Sequence, residues 1–147
     1  NLDKNTIIIF TSDNGGVVSG DNYSTNLAPL RGGKGYQWEG GIRVPLLIYH
    51  PDYKGQRVNT AVHGIDFLST ILDITKTKSK SVQKLDGISI LPLIKQKKIA
   101  QRPLFWHYPH YGNQGGEPSS IVQLENYKLI HYWEDSRNEL YDLEKEL

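Results

Sequence analysis

The chain has 147 residues, 37% hydrophobic and 22% charged, the balance of an ordinary globular domain with one core. With 17 basic against 16 acidic residues the net charge is only +1, which gives no field to hold a polyanion, so nucleic acid is not an expected partner. The absence of cysteine excludes disulfides, thiolate metal sites and a cysteine nucleophile within these residues, and no apolar stretch approaches the roughly 20 residues of a membrane span.

No methionine occurs either, so further sequence is expected before Asn1. Residues 6–11 are apolar and β-branched without alternation, which predicts a strand covered on both faces, as in the parallel sheet of an α/β protein. A second such strand is predicted at 44–49, with Pro45 near its start, and glycine-rich loops lie between the two. Ile65, Leu68, Ile71, Leu72 and Ile74 recur at near-helical spacing, with Asp66 in the first turn where the helix dipole favours an acid. The stretch "TKTKSKSVQK" (75–84) offers nothing to a core and reads as a solvated loop, with a membrane-surface or polyanion contact as the alternative.

Beyond "LDGISILPLIKQKK" the character changes. "PLFWHYPHY", "SSIVQL", "YKLIHYWE" and "NELYDL" are short, aromatic and β-branched, and separated by turn signals, which predicts an antiparallel meander. The expected division is therefore residues 1–100 as an α/β region and 101–147 as a small antiparallel β subdomain.

Asp13 and Asn14 follow the carboxyl end of the first strand, where open α/β sheets bind ligands. A carboxylate beside an amide oxygen suits a hard cation such as calcium or magnesium, yet Asn-Gly is also a strong turn signal, and locally the turn is favoured. In "LRGGKGYQWEGGIRVP" (30–45) glycines surround Lys34, so a backbone that can approach a ligand closely carries one ammonium, as a small oxyanion would need; a plain exposed loop accounts for it equally well. The phosphate-loop pattern fails at Ala28 and Gly35, and the dinucleotide fingerprint fails at Trp38. Glu39 and Arg43 are four apart and read as a structural ion pair. His107 and His110 could form a His-x-x-His pair, but no further nearby ligand completes a site, and strand packing is the plainer account. His50, His63 and His131 read as structural.

Taken in order, "IIFTSDNGG", "LRGGKGYQWEGGIRVPLLI", "GIDFLSTILDI", "LDGISILPLI", "FWHYPHY" and "YKLIHYWEDSRNELYDL" resemble the sulfatase family, part of the alkaline-phosphatase-like superfamily. The resemblance runs through nearly the whole chain and implies its C-terminal portion: the end of the catalytic α/β domain (1–100) and an antiparallel C-terminal subdomain (101–147). It implies that Asp13 and Asn14 bind an active-site Ca2+ completed by ligands outside these residues, and that Lys34 contacts the substrate's sulfate. The C-terminal subdomain edges the substrate cleft in that family, which makes His107 and His110 candidate substrate contacts. The formylglycine nucleophile, made in a Cys/Ser-x-Pro-x-Arg motif, is expected upstream: Pro29 and Arg31 imitate the motif's tail, but Leu27 stands in the nucleophile slot. The glycine often found at the position of Ser136 is missing, which puts that turn's type in question but not the hairpin.

The implied activity is hydrolysis of a sulfate ester on a carbohydrate or aryl group, with the N-terminal part of the same protein as partner; these residues alone, lacking the nucleophile, are expected to be inactive. Two alternatives stay open, a phosphoryl-ester hydrolase of the same superfamily and a non-catalytic carbohydrate-binding module. Location in the periplasm or outside the cell is expected by analogy.

Overall fold

The computed structural model describes residues 2–18, 24–78 and 84–146. The fold is mixed α/β. Strand β1 (Ile8–Thr11) and strand β2 (Leu46–Tyr49) pair as a two-stranded sheet. Both start two residues later than the apolar runs do. The expected burial on two faces does not occur among the described residues: Ile8 is 56% and Phe10 62% exposed, and Leu47 59%. An unbroken apolar run marks a strand that needs a layer on each side, and a sheet of two strands has too few neighbours here to supply them.

Contacts divide the chain into two compact units, Asn1–Ile9 with Ile48–Gln101, and Phe10–Leu47 with Arg102–Leu147. One change of unit falls after Gln101. Residues 10–47 group with the C-terminal segment and not with the rest of 1–100: the turn at Gly35 packs against residues 114–116, and Trp38 and Ile42 pack on the core of the C-terminal sheet.

In the first unit, helix α2 (Asp66–Thr75) matches the predicted helix within one residue and ends at Lys76, whose φ of +53° reverses the chain while Thr77 N–H donates to Leu72 O. Its buried face is polar. Asp66 is fully buried and accepts hydrogen bonds from the backbone N–H of His63 (2.9 Å) and Ile88 (3.0 Å). Thr70 accepts from Ile90 N–H at 3.0 Å, and Ser69 donates to Gly87 O at 2.7 Å. These side chains satisfy backbone groups of the segment leading into the short helix α3 (Leu91–Ile94), where Ile90, Leu91 and Leu93 form the unit's apolar centre. Ile65, Leu68 and Ile71 of the predicted apolar stripe stay exposed. Of the lysine-rich stretch, residues 79–83 lie outside the described residues, and 76–78 are exposed.

The second unit carries the predicted meander: β3 (Leu104–Tyr108), β4 (Ser119–Leu124), β5 (Tyr127–Tyr132) and β6 (Asn138–Asp142), each antiparallel to the next. Alternation along each strand assigns one face to a core of Ile121, Ile130 and Tyr132, on which Trp106, Tyr141 and two residues from the first half of the chain, Trp38 and Ile42, pack. Ile42 closes the one-turn helix α1 (Glu39–Ile42). The β5–β6 hairpin forms although Ser136 replaces glycine, and Ser136 takes a left-handed φ of +59°.

Candidate functional site

The site is built where three loops of the second unit meet. The first follows β1. Ser12 Oγ donates to Asn14 O (2.8 Å) and Asn14 Nδ2 donates to Gly15 O (3.0 Å), which tightens the turn. Gly15 N–H donates to Gly41 O at 2.9 Å, and a Cβ at Gly15 would stand 1.7 Å from Gly40 O, so only glycine permits this approach. Lys34 N–H donates to Gly16 O at 2.9 Å. That bond joins the Asp-Asn-Gly-Gly turn to the Gly-Gly-Lys-Gly loop, two motifs the sequence separates by some twenty residues. Turn and candidate ligand are thus compatible: the turn uses the Asn14 amide nitrogen and leaves its oxygen free, while Asp13, exposed, has no hydrogen-bond partner among the described residues.

The Lys34 loop is the second element. Tyr36 N–H donates to Gly33 O (2.9 Å), Gly40 N–H donates to Arg31 O (2.8 Å), and Tyr36 stacks on Trp38 with ring centroids 5.2 Å apart. Lys34 is half-buried, and its ammonium has no partner among the described residues.

Two polar networks tie the flanks of this loop to the sheet, and sequence reasoning missed both. Glu139 Oε2 accepts from Tyr141 Oη (2.6 Å), Trp38 Nε1 (3.1 Å) and Tyr132 Oη (3.1 Å), while Arg31 donates to Tyr141 Oη (2.9 Å) and lies 3.8 Å over the Trp38 ring. Burial alone would raise the Glu139 carboxyl, but the hydrogen bonds from Tyr141, Trp38 and Tyr132 outweigh it and hold the group below its ordinary range. Burial, reinforced by the charge and hydrogen bonding of Glu139, pushes Tyr132 up to about 12. The second network is an ion pair, Lys128 Nζ to Glu39 Oε1 at 2.9 Å, with side chains 1% and 8% exposed. Burial lowers Lys128 from its ordinary value, and Glu39 opposes that shift. The predicted Glu39–Arg43 pair exists at 3.8 Å, but Lys128 is the closer partner.

The third element is the β3–β4 connection, residues 109–118. A Cβ at Gly116 would lie 2.0 Å from Gly35 O, and one at Gly115 would lie 2.2 Å from Cζ of Tyr36. The connection therefore closes against the residues that follow Lys34. His107 and His110 do not come together. His107 Nδ1 bonds Ser120 Oγ (2.7 Å), on the sheet face that also carries His131, whereas His110 packs edge-on against Tyr108, centroids 5.6 Å apart. Among the described residues no group of three or more His, Cys, Asp or Glu is placed to hold a metal ion, so Asp13 and Asn14 can supply only part of one. No helix of the described residues is long and apolar enough to cross a membrane.

A mixed α/β chain with a glycine-bound lysine, an acid-amide turn and a four-stranded antiparallel sheet matches known proteins of one kind. The family described as N-sulphoglucosamine sulphohydrolase, C-terminal, matches residues 33–147, and the chain belongs to it, as the C-terminal portion of a sulfatase. A sulfatase from Formosa agariphila is 38% identical, the match covering 98% of this chain and 28% of that protein. N-acetylgalactosamine-6-sulfatase from Mus musculus is 30% identical, with 90% of this chain and 24% of that protein covered. The crystal structure of Ps i-CgsB in complex with k-i-k-neocarrahexaose has the same fold at a TM-score of 0.75 and 28% identity, over 97% of this chain and 31% of that one. The chain thus spans 24% to 28% of the length of these two curated relatives.

Proposed function

We propose that the whole protein hydrolyses sulfate esters of carbohydrates, and that this chain contributes the sulfate-binding lysine and part of a calcium site. The observation that carries the reading is the 2.9 Å bond from Lys34 N–H to Gly16 O, which puts on adjoining loops an ammonium and side-chain oxygens that have no partner among the described residues. Sulfatases named among the relatives, and a saccharide in one solved relative, support the reaction and the substrate class.

In this reading the Lys34 ammonium donates to a sulfate oxygen, which binds the ester and stabilises negative charge as the bond to the alcohol oxygen breaks. Asp13 and the Asn14 amide oxygen are two of the six to eight oxygens a calcium ion takes. Calcium, when bound, supplies positive charge that polarises the ester's oxygens. The fit is chemical: both groups are oxygen donors, and the turn's own hydrogen bonds leave those oxygens free. The nucleophile, a formylglycine by family resemblance, is proposed to come from outside these residues. His110, packed on Tyr108 near Gly112, is proposed as a substrate contact; His107, bonded to Ser120, is assigned to the sheet. A periplasmic or extracellular location is proposed from the resemblance.

The test is Lys34→Ala in the whole protein, with sulfate release from sulfated saccharides as the readout. A loss of one charged transition-state contact lowers kcat by about 100-fold or more. Unchanged kcat overturns the role of Lys34, turnover of phosphate esters in place of sulfate esters establishes the phosphoryl-ester reading, and glycan binding without any turnover establishes the binding module.

A further inference from the structure

The β3–β4 connection reads "YGNQGGE" over residues 111–117, with two adjacent glycines before Glu117. Gly115 and Gly116 take φ of +114° and +81°, which side chains disfavour, and they lie flush on Tyr36 and Gly35. Gln37 anchors the far end by donating from Nε2 to Glu117 O, and Gly115 N–H to Gly112 O (3.4 Å) closes the loop on itself. One side chain is carried to the residue that follows the lysine by this arrangement. A Cβ built at Gly35, the residue after Lys34, would stand 3.4 Å from Cβ of Gln114. Gln114 is half-buried, and its amide has no hydrogen bond among the described residues. An amide with both a donor and an acceptor left open beside the Lys34 loop is available to a ligand.

We infer that Gln114 is a specificity-determining residue that reads a hydroxyl of a saccharide next to the ester held by Lys34; this rests on the function proposed above. The assignment follows from donor and acceptor types. A sulfate only accepts hydrogen bonds and an ammonium only donates, so these two satisfy each other. A carboxamide does both, as does a sugar hydroxyl, and it brings no charge that would compete for the sulfate. The aromatic alcohol of a simple aryl sulfate has no such hydroxyl. Gln114 therefore favours saccharide esters over aryl esters, and it takes no part in bond breaking.

The experiment compares the whole protein with its Gln114→Ala variant on two substrates. One is the best-turned-over of a panel of sulfated galactose, N-acetylgalactosamine and glucosamine; the other is 4-nitrophenyl sulfate. Loss of one neutral hydrogen bond lowers kcat/KM for the saccharide by about three- to tenfold, mostly through KM, and leaves the aryl ester within about twofold. Equal losses on both substrates, or no loss on either, overturn the inference, as does a wild type that turns over only the aryl ester. Wild-type protein inactive on every sulfate ester overturns the proposed function and this inference with it, whereas active protein with unaltered discrimination overturns this inference alone.

Discussion

Replacing Glu39 by glutamine leaves an ammonium in the interior without its counter-charge. Lys128 is 1% exposed and 2.9 Å from Glu39, so it cannot turn to water without disturbing β5. At an effective dielectric of about 20 the pair's attraction is about 6 kcal/mol, and it is set against the desolvation of both ions. Removing one partner of such a pair costs about 3–5 kcal/mol, well above the fraction of a kcal/mol carried by the exposed Arg43 contact. Equilibrium urea unfolding, followed by tryptophan fluorescence, reads the loss as a lower midpoint. The pH dependence separates charge from shape. Burial sets the folded-state pKa of Lys128 below its ordinary 10.5, so between those two values the unfolded chain holds the extra proton and stability rises with pH. Without Glu39 the depression deepens and the window opens at lower pH. The gap between Glu39→Gln and the double variant Glu39→Gln/Lys128→Met, in which other titrations cancel, should therefore narrow as pH rises from 7 towards 10. A single-variant loss under about 1 kcal/mol at pH 7, or a gap insensitive to pH, would refute this reasoning.

Ser136→Gly should raise the urea midpoint by the equivalent of about 0.5–1 kcal/mol, because serine at φ +59° carries strain that glycine does not; an unchanged or lower midpoint means the turn is not strained. Glu139→Gln should flatten the acid limb of the stability curve. The folded-state pKa lies below the ordinary 4.5, so this carboxylate's contribution is present above 4.5 and lost as pH falls through the folded value. An acid limb identical to the wild type's counts against the hydrogen-bonded carboxylate.

What the sequence could disclose followed the range over which each feature is encoded. Helix α2 was legible to within one residue because its spacing is local, yet the face it buries was inverted: Asp66 and Thr70 go inside and Leu68 and Ile71 stay out. Periodicity locates a helix, whereas burial depends on which backbone groups a distant segment presents, here the N–H of Ile88 and Ile90. The four strands were legible because aromatic and β-branched runs alternate with turn residues over a few positions. Lys128, the second residue of β5, gives no sign of burial in the sequence, since its partner lies 89 residues away, and Glu39 is matched there with Arg43 because that spacing is visible and the other is not. In the site, Asp13, Asn14 and Lys34 stood out through family motifs. Gln114 carried no signal except the two glycines after it, whose role depends on the shape of Tyr36.

The networks that escaped the sequence reading also bear on the chemistry. Lys34 sits on a loop with no regular secondary structure, so its position is set by what holds the flanks. On one side Arg31 and Trp38 are bound to Tyr141 and Glu139 of β6, and just beyond, Glu39 is bound to Lys128 of β5. The flanks of the loop are therefore held by the antiparallel sheet, through bonds whose geometry depends on that sheet's register. A substitution that loosens these bonds without unfolding the chain, Glu139→Gln being the mildest, displaces the lysine relative to the Asp13–Asn14 turn, and in the proposed reaction a displacement of about 1 Å costs as much as about 100-fold in rate. Under the proposed function, stability of the C-terminal sheet and competence of the sulfate site would be one property.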